Sequence, residues 1–142
     1  MTIHFHIPGA PVGKGRPRIG KVGAHARMFT PAKTVSYEST VALFAAQAMA
    51  GRPLLTGPVN LQMRVDFAIP ASWSMKKQRA AEAGLILPKV KPDADNVIKA
   101  VCDAINGVVW VDDVQVVDLT VKKRYSVVPG VAVRIDLLEV AK

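Results

Sequence analysis

Apolar and polar positions change their spacing several times along this chain, and each change predicts an element. Ile3, Phe5 and Ile7 alternate with Thr2, His4 and His6, the period of a strand with one buried face and both histidines outside it. Val59, Leu61, Met63, Val65, Phe67 and Ile69 alternate strictly with Asn60, Gln62, Arg64, Asp66 and Ala68. That is the clearest strand, and its two-faced pattern predicts an antiparallel or mixed sheet. Val117, Leu119 and Val121 repeat the alternation, as do Val131, Val133, Ile135 and Leu137 after a Pro129-Gly130 turn. The spacing lengthens to that of a helix over 34–49, where Tyr37, Val41, Phe44 and Ala48 recur and Gly51-Arg52-Pro53 ends the run.

After Pro70, Ser72 or Ser74 caps a predicted helix reaching about Gly84. A third helix starts near Asp95 or Asn96 and ends at Gly107, a residue suited to a left-handed stop. Its apolar side is Val97, Ile98, Val101 and Ile105; its polar stripe is Asn96, Lys99, Asp103 and Asn106. Between the first strand and the first helix, Pro8, Gly9, Pro11, Gly13, Gly15, Pro17, Gly20 and Gly23 predict a long span without regular structure. No repeat or linker divides the chain. The sum is one α+β domain with about four strands in a mixed or antiparallel sheet, packed with two to three helices.

Composition narrows the function. Half of the 142 residues are hydrophobic and 21% are charged, which suits a folded domain and not a disordered tail. A formal charge of +8 points to a polyanionic partner, nucleic acid first and an anionic membrane surface second. No apolar run reaches the ~18 residues of a membrane helix, and the N-terminal segment lacks the pattern of a signal peptide, so a cytoplasmic protein is expected. The single cysteine, Cys102, excludes an intramolecular disulfide, and with three scattered histidines it does not make a zinc site.

The charge is also unevenly spread. Up to Tyr37 there are six cations (Lys14, Arg16, Arg18, Lys21, Arg27 and Lys33) and no acid. Six of the eleven acids, by contrast, fall within 93–118: Asp93, Asp95, Asp103, Asp112, Asp113 and Asp118. Carboxylates so crowded repel one another unless protons, water or cations compensate them.

Asp93 and Asp95, two apart, share a face of an extended segment. Asp112 and Asp113 follow where the helix gives way to a strand, and packing of that helix beside that strand would bring the two acidic groups together. Carboxylates are the ligands of Mg²⁺, which activates water and stabilises the leaving oxygen in phosphoryl transfer, and a nearby lysine adds positive charge. These are the parts of a metal-dependent nuclease. Each residue alone has an ordinary reading as well. Asp95 could cap the helix with Asp93 adding charge there; Asp112-Asp113 could be a polar turn; Lys99 could pair with Asp95. Cys102 and Trp110 read as packing residues.

KPDADNVIKAVCDAINGVVWVDDVQVVD, 28 consecutive residues, resembles the signature of the RusA family of Holliday-junction resolvases. That signature runs D-x-D-N-x-x-K, then D-A on a short helix, then W-x-D-D-x-Q-V. IPGAPVGKGRPR and FTPAKT resemble the bacterial and phage branch of the family. The resemblance implies a RusA-like fold and an Mg²⁺-dependent endonuclease, with Mn²⁺ as a substitute. It implies a homodimer that nicks two strands of a four-way DNA junction symmetrically, in recombination and repair, in a bacterial or phage-infected cell. It makes Asp93, Asp95 and Asp113 the catalytic acids and metal ligands, with Asp112 beside them and Lys99 as the catalytic lysine. Lys14, Arg16, Arg18, Lys21 and Arg27 are expected, from their charge, to contact DNA phosphates. Two other classes stay open: a DNA-binding module that has lost cleavage, and a metal-dependent phosphohydrolase acting on RNA or small phosphate esters.

Overall fold

The N-terminal alternation forms strand β1 (Thr2–Pro8), with Ile3, Phe5 and Ile7 buried and the intervening residues exposed. This description rests on a computed structural model that covers residues 1–15, 18–22, 25–29 and 31–139, with backbone only for 18–22 and 25–29. The remaining elements are β2 (Arg18–Val22), β3 (His25–Phe29), α1 (Ala32–Met49), β4 (Val59–Ala68), α2 (Met75–Glu82), α3 (Ala94–Ile105), β5 (Val116–Ser126) and β6 (Gly130–Leu137).

Four strands form one mixed sheet in the order β1-β6-β4-β5. β6 runs antiparallel to both β1 and β4, whereas β4 and β5 are parallel. The parallel pair requires a crossover, and the segment holding α2 and α3 supplies it. The core lies between the sheet and α1 and α3: Ile7, Val59, Leu61, Val65 and Ile135 meet Val41, Ala45, Val97, Val101 and Ile105, all fully buried. The opposite face of the sheet is polar, with His4, Gln62, Arg64 and Lys122 exposed.

Local chemistry explains the helix ends. The backbone leaves α1 through Ala50 at φ 50° and Gly51 at φ 77°. Arg52 closes that end by donating from its guanidinium to the carbonyls of Ala48 (2.8 Å) and Met49 (2.9 Å). At the start of α2 the Ser74 hydroxyl accepts from the Lys77 N–H at 3.2 Å, which settles the choice between Ser72 and Ser74.

One expectation needs correction. The glycine- and proline-rich span was expected to hold no regular structure, yet β2 and β3 pair antiparallel, Arg18 opposite Phe29 and Val22 opposite His25. Glycine weakens a strand without forbidding it, and pairing satisfies the backbone groups. Trp110, which reads as a packing residue, is fully buried within this chain. Exposed apolar residues include Val111, Val114, Val117 and Leu119, on edge strand β5 and just before it.

Candidate active site

Asp93 sits at the N-cap position of α3, after a cis Lys91–Pro92 bond, and Asp95 lies in the first turn. The Asp93 side chain makes no capping hydrogen bond. Among the described residues no ion pair engages Asp93, Asp95 or Lys99, and all three are exposed. The capping reading and the Asp95–Lys99 pairing are therefore not realised. A polar cavity at this end of α3 is lined by Gly13, Lys33, Lys91, Asp93 and Asn96.

The second acidic group forms at the other end of α3. Asp113 opens a single 3-10 turn, Asp113–Gln115, that leads into β5. Its carboxyl is held above the ordinary carboxylate range by burial first, then by a hydrogen bond and charge from Asp112, then by the charge of Asp103. Burial pushes the neighbouring Cys102 thiol up to about 12, with Asp113 and Asp103 adding to the rise, so Cys102 is a packing residue and not a nucleophile. Asp113 is partly buried and close enough to Asp103 of α3 to feel its charge, while Asp112 is exposed.

The turn is held from both sides. Trp110 donates its indole N–H to Asn106 Oδ1 at 2.6 Å, and its carbonyl accepts from the Gly107 N–H at 2.8 Å. Gln115 Oε1 accepts from the N–H groups of Val111 (2.9 Å) and Asp112 (3.1 Å). Gln115 Nε2 donates to the carbonyls of Leu55 and Gly57, both at 2.9 Å. One amide side chain thus ties the acidic turn to the segment that precedes β4.

The two acidic groups are not gathered into one. Asp95 and Asp103 are eight residues apart on α3, roughly 12 Å along the axis, with Lys99 midway. Among the described residues no three His, Cys, Asp or Glu side chains form a group able to hold a metal ion. The chemistry of the donors nonetheless suits a hard divalent cation. Among the described residues Asp93 and Asp95 make no ion pair, and Asp113 is raised by burial first and then by the like charges of Asp112 and Asp103, which a cation would offset.

Of the predicted DNA contacts, Arg16 lies outside the described residues. Arg18, Lys21 and Arg27 are on the β2–β3 hairpin, with side chains outside the description. Lys14 is described, and its ammonium is 2.5 Å from Glu38 Oε1 and 3.2 Å from Asp103 Oδ2. Burial opposes its charge, but hydrogen bonds and charge from Glu38 and Asp103 outweigh burial and raise its pKa. Neither Glu38 nor its link to Asp103 was expected; the only signal is that Glu38 is the first acid in the chain.

The raised Asp113 gives a stability prediction. Its folded pKa lies above the unfolded value of ~3.9, so the charged form costs stability at neutral pH and the cost fades as pH falls through the folded pKa. Asp113→Asn should therefore raise the melting temperature at pH 7 in chelator by about 2 °C, from relief of about 0.5 kcal/mol of charge burial and like-charge repulsion together. The gain should shrink towards pH 4. A lower melting temperature at pH 7 would refute the electrostatic reading.

The geometry describes an α+β protein whose acids line one helix and the turn that faces its far end. The Bacillus subtilis (strain 168) protein named "Uncharacterized protein YqaN" is 44% identical over 137 residues, 94% of each chain. The family model described as "Endodeoxyribonuclease RusA" matches residues 8–136, a span that contains every acid discussed above. The chain belongs to the RusA endodeoxyribonuclease family, a class of nuclease. Among the described residues no helix is long and apolar enough to cross a membrane.

Proposed function

We propose that this protein resolves four-way DNA junctions by paired nicks, acting as a homodimer with Mg²⁺, or Mn²⁺ in its place, held by Asp93, Asp95 and Asp113. The observation that carries the reading is a RusA family match over residues 8–136 that contains Asp93 and Asp95 at the head of α3, unpaired among the described residues, and the crowded Asp112-Asp113 turn beyond its other end. A bound Mg²⁺ supplies an activated water and positive charge at the leaving oxygen. Asp93 and Asp95 offer oxygen ligands from the start of the helix, and Asp113 offers one from the turn, with Asp112 its exposed neighbour. Lys99, between them, meets the phosphate or the developing charge on the leaving 3′ oxygen.

Arg16, Arg18, Lys21 and Arg27 belong to a basic arm that contacts junction phosphates. Two-fold symmetry matches the substrate, since two equivalent sites meet two opposed strands. Edge strand β5, with exposed Val117 and Leu119, is the apolar surface available to a second copy.

The test is cleavage of a synthetic four-way junction and of plain duplex, each with Mg²⁺ and with chelator. Paired cuts in the junction that need Mg²⁺, with binding that weakens steeply as salt rises, are the expected result. Equal cutting of duplex, or undiminished cutting in chelator, would overturn the proposal.

A further inference from the structure

Lys14 belongs to the cationic segment assigned by charge to DNA phosphates, but its surroundings are those of an internal bridge. The ammonium lies between Glu38 on α1 and Asp103 on α3, and the side chain is only 19% exposed. The backbone is fastened at the same place. Lys14 N–H donates to the Asn96 carbonyl on α3 at 2.8 Å, and Gly15 N–H donates to the buried Thr34 Oγ1 on α1 at 3.0 Å.

The flanking glycines permit this fit. A Cβ on Gly13 would stand 2.9 Å from Pro92 Cβ and 3.0 Å from Asn96 Cβ, and one on Gly15 would stand 2.9 Å from both Pro31 Cγ and Thr34 Oγ1. The segment is a wedge between the two helices, with its lysine pointing at their acids. Two carboxylates already face the one ammonium, so a phosphate approaching it would be a third anion. Asp103, in turn, is one of the charges acting on Asp113.

We infer that Lys14 is a positioning residue. It holds α3 against α1 and sets Asp103 beside the acidic turn without touching DNA. Its kinetic consequence rests on the nuclease reading above; the bridge itself does not.

The experiment measures junction affinity, its salt dependence and single-turnover cleavage for wild type, Lys14→Met, Lys14→Arg and Glu38→Gln. Lys14→Met should slow cleavage by about 10- to 100-fold, the usual effect of losing a partner that orients site residues. Its affinity and salt slope should match wild type. Lys14→Arg should restore most of the rate, and Glu38→Gln should fall between. Weaker binding with a salt slope smaller by about one would make Lys14 a phosphate contact and overturn the inference. Unchanged cleavage by Lys14→Met would overturn it too.

Urea unfolding of Lys14→Met, Asp103→Asn and the double variant reads the bridge without any substrate. Non-additive changes are expected, and additive ones would refute the bridge. A wild type that cuts no DNA but shows this coupling would sink the nuclease reading and leave the bridge standing.

Discussion

Asp95→Asn will lower junction cleavage by at least about 10²- to 10³-fold, the scale on which one preorganised electrostatic group contributes to a transition state. Junction binding will persist. Asn has the shape of Asp, the side chain is exposed, and no ion pair among the described residues depends on it. Removing a negative charge should, if anything, tighten binding to a polyanion. The fold loses only a favourable charge at the N-terminus of α3, about 0.3–1 kcal/mol. Cleavage and affinity measured on the same preparation separate these effects. Wild-type cleavage by the variant would remove Asp95 from the mechanism, and parallel loss of binding would make it a binding residue instead.

Trp110→Ala will produce the largest loss of stability, about 3–5 kcal/mol, as expected for deleting a fully buried aromatic side chain. That is a large share of the about 5–15 kcal/mol that holds a typical domain folded. Two losses add together. The indole leaves a cavity, and Asn106 Oδ1 loses the N–H that it accepts at 2.6 Å. Urea denaturation should show a much lower midpoint. Cleavage should fall as well, because the connection between α3 and the Asp113 turn runs through Trp110. A cost below about 1 kcal/mol would show that the site collapses around the smaller residue and that Trp110 is not the anchor of the turn.

Much of this architecture is legible in the chain. The alternations around Ile3, Leu61, Leu119 and Val133 all fall in strands of one mixed sheet. The apolar side of α3 is its buried side: Val97, Val101 and Ile105 are fully buried, while Asp95 and Lys99 are exposed. Trp110 reads as a packing residue and is one. The hairpin of β2 and β3 was missed because counting glycines and prolines ignores what pairing restores to the backbone.

The candidate site divides in the same way. Asp93, Asp95, Lys99 and the Asp112-Asp113 pair are visible as a motif. That Asp93 makes no capping hydrogen bond at the head of α3 is not, since a capping Asp and one that caps nothing look alike in sequence. Gln115 stands in the motif, yet its partners Leu55 and Gly57 lie 60 and 58 residues away.

Residue order alone determined the elements, because strand and helix periods are local and each side chain's face follows from the backbone. It also marks the acids and the lysine to which the proposed chemistry is assigned. The tertiary structure decided that Asp113 is partly buried while Asp112 is exposed, and that Lys14 meets Glu38 and Asp103. Those pairings depend on how α1, α3 and the glycine wedge pack together. Packing between distant segments leaves no periodic trace in the sequence.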